Sequence, residues 1–149
     1  MNIAYIEYSI AQKSLDIFIS GCNNQCKDCC NPEIKDFTSG KDWHEYIETI
    51  FNYLKKYDEL IENIFLVGGS PNHQNTKDLE EFFNTLNTNK KIWLFAGEEL
   101  DKIQNIFKQK CDFIKCGEYI PSLQCDDNIQ YGIKLATSNQ KIYKKGEDY

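Results

Sequence analysis

Apolar positions along the chain fall into short blocks whose spacing switches between two periods. From Met1 to Ser20 apolar and polar residues alternate, and Leu15 to Ile19 (Leu-Asp-Ile-Phe-Ile) reads as a strand ended by Ser20-Gly21. Trp43, Tyr46, Ile47, Ile50, Phe51 and Leu54 then recur at three- and four-residue steps, which predicts an amphipathic helix from about Asp42 to Lys56. Ile64 to Val67 is a short buried strand stopped by Gly68-Gly69. Thr76 is the expected N-cap of a helix through Leu79, Phe82, Phe83 and Leu86. Ile92 to Phe95 forms the next strand, Leu100, Ile103, Ile106 and Phe107 mark a third helix, and Phe113-Ile114 begin a further strand. Shorter apolar pieces at Ile133–Leu135 and Ile142–Tyr143 are candidate terminal strands.

Strand and helix thus alternate, with connections short enough for a parallel sheet with right-handed crossovers. A closed eight-unit barrel typically needs on the order of 250 residues, and this chain has 149. The expected fold is therefore α/β: an open or partial (β/α) barrel with a mostly parallel sheet of about four to six strands. Residues 1–149 are expected to form a single domain, since no internal repeat, linker or low-complexity tract interrupts them.

Composition narrows the functional classes. The net charge is −6, and all 17 basic residues are lysine. Nucleic-acid binding ordinarily shows a basic, Arg-rich face, so no nucleic-acid partner is expected; Lys144-Lys145 reads as a solvated tail. No run reaches the roughly 18 apolar residues of a membrane span, and the amino terminus lacks the basic start and long apolar stretch of a secretory signal. A cytoplasmic protein without membrane contact is expected.

Seven cysteines are unevenly spread, with Cys22, Cys26, Cys29 and Cys30 close together and Cys111, Cys116 and Cys125 scattered late. In a cytosolic chain such clustering suggests a metal or catalytic site rather than disulfides. Gly21-Cys22-Asn23-Asn24-Gln25-Cys26-Lys27-Asp28-Cys29 has the spacing C-x3-C-x2-C. Thiolates two and three residues apart on one loop can wrap a compact inorganic core. Three thiolates on a four-iron cluster leave one iron without a side chain, where an exogenous molecule can bind and receive an electron. Zinc held by these three and Cys30 or a distant residue is the alternative, although zinc loops more often pair cysteines as C-x2-C.

A C-x3-C-x2-C loop directly after a strand, followed by the turn Gly68-Gly69-Ser70-Pro71 after the next, resembles the radical S-adenosylmethionine superfamily. Within it, Cys29-Cys30-Asn31-Pro32-Glu33 through Phe37 and Gly40 is similar to the C-x-N-P-E stretch of small activating enzymes for anaerobic ribonucleoside-triphosphate reductase. Gln74-Asn75, Asp112 to Tyr119 and Thr137-Ser138-Asn139-Gln140 agree with that likeness. The resemblance implies a [4Fe-4S] cluster on Cys22, Cys26 and Cys29, catalytic through that cluster, whose open iron chelates the methionine part of S-adenosyl-L-methionine. One-electron cleavage would release methionine and a 5′-deoxyadenosyl radical, which would take a hydrogen atom from a glycine of the reductase large subunit. An electron donor such as a flavodoxin is implied as a second partner. Gly68, Gly69, Ser70 and Pro71 would contact the cofactor, with Asn31, Ser138 and Asn139 as further contacts. Gly68-Gly69 at a strand end also removes side chains where backbone must approach a ligand, Pro71 stiffens the turn, and ligands of open parallel sheets sit beyond the strands' carboxyl ends.

The sequence departs from that family at several points. Cys30 stands where His or an aromatic residue is usual, Cys116 replaces an acidic residue, and Ala11 to Asp16 lacks a Gly-rich, Arg-containing segment. Ser70 occupies a position generally held by Asp or Glu, and an uncharged hydroxyl gives a weaker hydrogen bond to an ammonium. Two other readings stand beside the activase: a radical enzyme acting on another glycyl-radical enzyme, a peptide or a small molecule, and a non-catalytic metal-binding or electron-transfer module. His44 is expected at the surface of the first helix, and His73 is a candidate for the pocket wall.

Overall fold

A computed structural model describes residues 1–149. The alternating amino-terminal stretch is itself a strand, β1 (Asn2–Ser9), which turns back antiparallel onto β2 (Ser14–Ile19). The strand expected to come first is therefore second. A two-residue strand, β3 (Lys41–Asp42), borders β1 and leads into α1 (Trp43–Lys56). Two strand–helix repeats follow: β4 (Asn63–Gly68), α2 (Thr76–Leu86), β5 (Lys91–Phe95), α3 (Asn105–Lys110) and β6 (Phe113–Cys116). A small hairpin of β7 (Ile129–Gln130) and β8 (Ile133–Lys134) precedes β9 (Lys141–Lys144).

The main sheet has seven strands in the order β3-β1-β2-β4-β5-β6-β9. Its centre, β2-β4-β5-β6, is parallel, whereas the pairings β1-β2, β1-β3 and β6-β9 are antiparallel. This corrects the expected count of about four to six strands and the expected mostly parallel character: half of the six pairings are antiparallel. The α/β class stands, and the sheet does not close into a barrel. The difference lies at the edges, where β1, β3 and β9 pair antiparallel and cover the flanks of the parallel core.

Register across the centre is set by one buried row. Ile17 opposes Leu66, Leu66 opposes Leu94, and Leu94 opposes Ile114. These residues belong to a cluster of 21 buried residues that also holds Trp43 and Ile50 of α1, Leu79, Phe82, Phe83 and Leu86 of α2, and Ile106 and Phe107 of α3. The alternate positions of the same strands point to the other face. There Phe65, Trp93 and Phe113 form a smaller cluster with Leu135 and Ile142 from the carboxyl-terminal segment. Trp93 and Phe113 stack with ring centroids 4.0 Å apart, and the Trp93 indole N–H donates to Asn63 Oδ1 at 3.0 Å.

Three local expectations are corrected. The helix expected through Leu100 and Phe107 is broken: Leu100–Lys102 forms one tight turn, and Ile103 and Gln104 are extended before α3 begins. The apolar spacing there is helical, but the bury-and-turn geometry of a short crossover splits it. The N-cap of α2 is Asn75, whose Oδ1 accepts from Lys77 N–H at 2.9 Å, while Thr76 is already helical. Lys144 ends β9 and Lys145 N–H donates to Asp112 O at 2.9 Å, so this pair is tied to the sheet rather than a free tail. No helix is long and apolar enough to cross a membrane.

Asn75→Ala removes that cap and is expected to lower unfolding stability by about 1 kcal/mol. Thr76→Ala, which loses only an exposed hydrogen bond to Gln104, is expected to lower it less; urea titration of both variants checks the order.

Candidate functional site

The four parallel strands end on one rim, and each is followed by glycine: Gly21 after β2, Gly68-Gly69 at β4, Gly97 after β5 and Gly117 after β6. The cysteine loop leaves β2 here. Its base is closed by Gly21 N–H on Ile34 O at 2.8 Å and Cys22 N–H on Lys35 O at 2.9 Å. Ser70 N–H donates to Gly21 O at 2.8 Å, so the loop after β2 rests on the turn after β4. A Cβ on Gly69 would lie 2.6 Å from that same Gly21 oxygen, which excludes any larger residue without a shift of backbone. Gly21 has φ +98°, and its missing Cβ leaves room for the Phe37 ring.

Cys22, Cys26 and Cys29 line one cavity of about 450 Å³, together with Cys30. Gly68 and Gly69 form part of its wall, and Lys115, Gly117, Tyr119 and Gln140 complete the opposite strands' contribution. Cys22, Cys26 and Cys29 are half-buried and free. Burial raises the pKa of the Cys22 and Cys26 thiols above the ordinary value. They therefore sit protonated at neutral pH until something positive displaces the protons, as a metal core does. No three His, Cys, Asp or Glu side chains gather tightly enough for a single ion. Thiols ringing a hollow of this size suit a larger inorganic core, and three of them leave part of its surface to another ligand. A larger hollow of about 510 Å³ lies near Phe51, Leu54, Asp58 and Lys90, with no cysteine in its lining.

A carboxylate not anticipated from the sequence knits this rim together. Glu98, three residues past the end of β5 and directly after Ala96-Gly97, has a side chain only 11% exposed. Its Oε1 accepts from Asn24 Nδ2 at 2.8 Å and from His73 Nε2 at 2.9 Å, and both carboxylate oxygens lie 3.4 Å from Ser70 Oγ. Asn23 N–H donates to His73 Nδ1 at 3.0 Å. An accepting Nδ1 leaves the ring proton on Nε2, which then donates to Glu98. The cysteine loop is thus held twice, directly through Asn24 and indirectly through Asn23 and His73. Glu98 lines an adjoining hollow of about 430 Å³ that shares Asn24, Cys26, Gly97 and Glu118 with the thiol-lined cavity.

The remaining sequence candidates are divided by the fold. Ser70 and Pro71 are buried in the turn rather than lining the cavity. Asn31 Nδ2 donates to Gly68 O at 3.4 Å, bracing the glycine turn from behind. Ser138 and Asn139 are exposed and do not line the cavity; Asn139 Nδ2 donates to Glu118 O at 3.0 Å, and their neighbour Gln140 reaches the wall instead. His73 braces the loop, and His44 is exposed, as its helix position implies. Cys111 and Cys116 are sealed in the helix-side core. Sequence reasoning missed Glu98 and Lys115. Two signals were available: a charged residue inside the apolar strand Phe-Ile-Lys-Cys, and a Gly-Glu pair just past the end of a parallel strand, where ligands of such sheets collect.

A family model described as the 4Fe-4S single cluster domain matches residues 13–143. The anaerobic ribonucleoside-triphosphate reductase-activating protein of Haemophilus influenzae is 29% identical over 136 residues, covering 86% of this chain and 85% of the relative. The proteins of the same name from Escherichia coli (strain K12) and Vibrio cholerae are 28% and 29% identical over 135 and 136 residues, covering 85% and 86% of this chain and 85% of each relative. No solved structure matches.

Glu98→Ala leaves the Asn24 and His73 donors without their acceptor, so a loss of about 1–3 kcal/mol in stability is expected. In the cluster-free protein Cys22 and Cys26 should then react faster with a thiol-alkylating reagent than in the unaltered chain. Cys111, fully buried, serves as the unchanging reference in peptide mass spectrometry.

Proposed function

The chain belongs to the 4Fe-4S single cluster domain family, and we propose that, acting as one domain, it is a radical S-adenosylmethionine activase for an anaerobic ribonucleotide reductase. Cys22, Cys26 and Cys29 would hold the cluster, and the large subunit of the reductase would be the partner that receives a glycyl radical. When bound, such a cluster supplies one electron to S-adenosyl-L-methionine, which breaks into methionine and a 5′-deoxyadenosyl radical able to take a hydrogen atom from glycine. A low-potential donor such as a flavodoxin would provide that electron. The observation that carries this reading is the arrangement of three thiols from one C-x3-C-x2-C loop around a single cavity whose wall includes the bare backbone of Gly68-Gly69. The names of the relatives direct the choice of partner.

The chain's own residues prepare this site in three ways. Hydrogen bonds from Gly21 and Cys22 to Ile34 and Lys35 fix where the first thiol emerges. Glu98 and His73 hold the loop between the first two thiols, through Asn24 and Asn23. The absence of side chains at Gly68 and Gly69 keeps the wall open to a ligand seated against the thiols. Ser70, lacking a charge, is backed by Glu98, so an ammonium at this turn would still meet a carboxylate.

Cys30 supports a second reading, because its sulfur lines the same cavity. Four protein thiolates would leave no iron open, and the chain would then be an electron-transfer module without catalysis.

Anaerobic iron–sulfur reconstitution, followed by dithionite and S-adenosylmethionine, separates the two. The activase yields 5′-deoxyadenosine, and with the cognate reductase an electron paramagnetic resonance doublet of a glycyl radical. Cys26→Ala is expected to abolish both cluster and product, whereas Cys30→Ala spares the cluster. Loss of the cluster in Cys30→Ala, with no 5′-deoxyadenosine from the unaltered chain, would favour the electron-transfer module. Product without a glycyl signal across several reductases would redirect the search to another target.

A further inference from the structure

Lys115 lies where an apolar strand should continue. Its neighbours in β6, Ile114 and Cys116, pack into the helix-side core, and Phe113 into the cluster on the opposite face. Lys115 shares the face of Phe113 and lines the cavity that holds Cys22, Cys26 and Cys29. Its ammonium donates to Gly117 O at 2.7 Å and to Ala96 O at 3.4 Å, both backbone carbonyls. None of the nine ion pairs in the molecule involves it. A partly buried cation with only carbonyl partners is a costly feature of a fold, since its desolvation is not repaid by a counter-charge. Burial accordingly lowers its pKa to about 8, against the pull of the nearby Cys116, Cys30, Cys26 and Glu98. The two carbonyls hold the charge at the strand end, in the cavity that the thiols line.

We propose that Lys115 is the built-in counter-charge of the cluster, an electrostatic positioning residue that makes the cluster easier to reduce. The inference rests on the reading of Cys22, Cys26 and Cys29 as its ligands. Three thiolates on a four-iron, four-sulfur core of charge +2 give a net charge of about −1, and one added electron gives about −2. No bond is made or broken in that step; an external one-electron donor is oxidised and the core is reduced. A fixed positive charge in the same cavity favours the more negative state. At an effective dielectric constant of about 20 and a separation on the order of 10 Å, a unit charge changes such an equilibrium by about tenfold. Lys35, whose field also reaches Cys22 and Cys26, lies on the loop's base and does not line the cavity, so its field is the more screened of the two.

The test is an anaerobic spectroelectrochemical titration of reconstituted protein, with iron and sulfide content measured alongside. Lys115→Met is expected to load a full cluster whose reduction equilibrium falls about tenfold, a drop of about 59 mV for one electron. Lys115→Arg should stay close to the unaltered chain, and Lys35→Met should shift the potential less than Lys115→Met. A loaded Lys115→Met protein with an unmoved potential overturns the proposal, as does a larger shift from Lys35→Met. Lys115→Gln, which can still donate to the two carbonyls, covers a methionine variant that fails to fold. Loading by arginine but by neither neutral variant supports the counter-charge, because assembly then demands it. Loading by none of the three makes Lys115 purely structural and ends the inference. An unaltered chain that takes up no iron–sulfur cluster fails the underlying reading itself, a result distinguishable from all of these.

Discussion

The Gly21 carbonyl accepts from Ser70 N–H at 2.8 Å, and Gly69 N–H donates to Ile19 O at 2.8 Å. Through these two bonds the loop after β2 and the turn after β4 become one surface. The contact tolerates no side chain at Gly69, because a Cβ there would meet the Gly21 oxygen at 2.6 Å. Glycine is usually a conformational cost in an ordered segment; here it is the condition for two strand ends to share backbone hydrogen bonds. The depth of the cavity follows from the same contact. With the two loops pressed together at their bases, their thiol-bearing and glycine-bearing parts face a common hollow rather than splaying apart.

Burial sorts the seven cysteines into chemical classes. Cys111 and Cys116 are sealed among the helices, and burial pushes the Cys116 thiol up to about 12, so neither offers a thiolate at neutral pH. Cys22, Cys26 and Cys29, half-buried, and Cys30, exposed, line the cavity, where ligands can enter. Cys125 is half-buried, with its N–H on Ala136 O at 3.2 Å, apart from both groups. The charged groups lining the cavity are Asp28, Glu118 and Lys115, with Glu98 in the adjoining hollow and Lys35 at the base of the loop. Glu98 is satisfied by neutral donors and Lys115 by carbonyls, so neither charge is neutralised by the other. Such a site keeps its field available to whatever occupies it.

Legibility from sequence followed the length of each periodic signal. The spacing from Trp43 to Leu54 sustains several turns and predicted α1 almost to the residue. The buried runs Ile64–Val67 and Ile92–Phe95 predicted β4 and β5 because both neighbours in a parallel core are apolar. β1 was read as mere alternation: its pairing with β2 depends on a turn at Ile10–Lys13, with Lys13 at φ 48°, that carries no glycine or proline. α3 was overextended because Leu100 and Ile103 have helical spacing but are buried by a tight turn and an extended residue. The cysteine loop and glycine turn were legible because their chemistry is written contiguously. Glu98 and His73 were not, since their meeting joins segments 25 residues apart in sequence (98 − 73 = 25) through strand packing alone.

Ser70 shows what that last limitation does to motif reasoning. Read along the chain, a hydroxyl where an acid is usual is a loss of charge at the turn. In space, both Glu98 oxygens stand 3.4 Å from that hydroxyl, and Glu98 arrives from the end of the neighbouring strand. Parallel strands in register bring their carboxyl ends side by side, so a functional group can move from one loop to the next while staying within a few ångströms of its target. The acceptor inventory agrees: Glu98 Oε1 is engaged by Asn24 and His73, while Oε2 has only the long contact to Ser70 and retains lone pairs for a donor not supplied by the chain. The rim therefore carries a negative charge beside Ser70, supplied by the neighbouring strand end rather than by the turn itself.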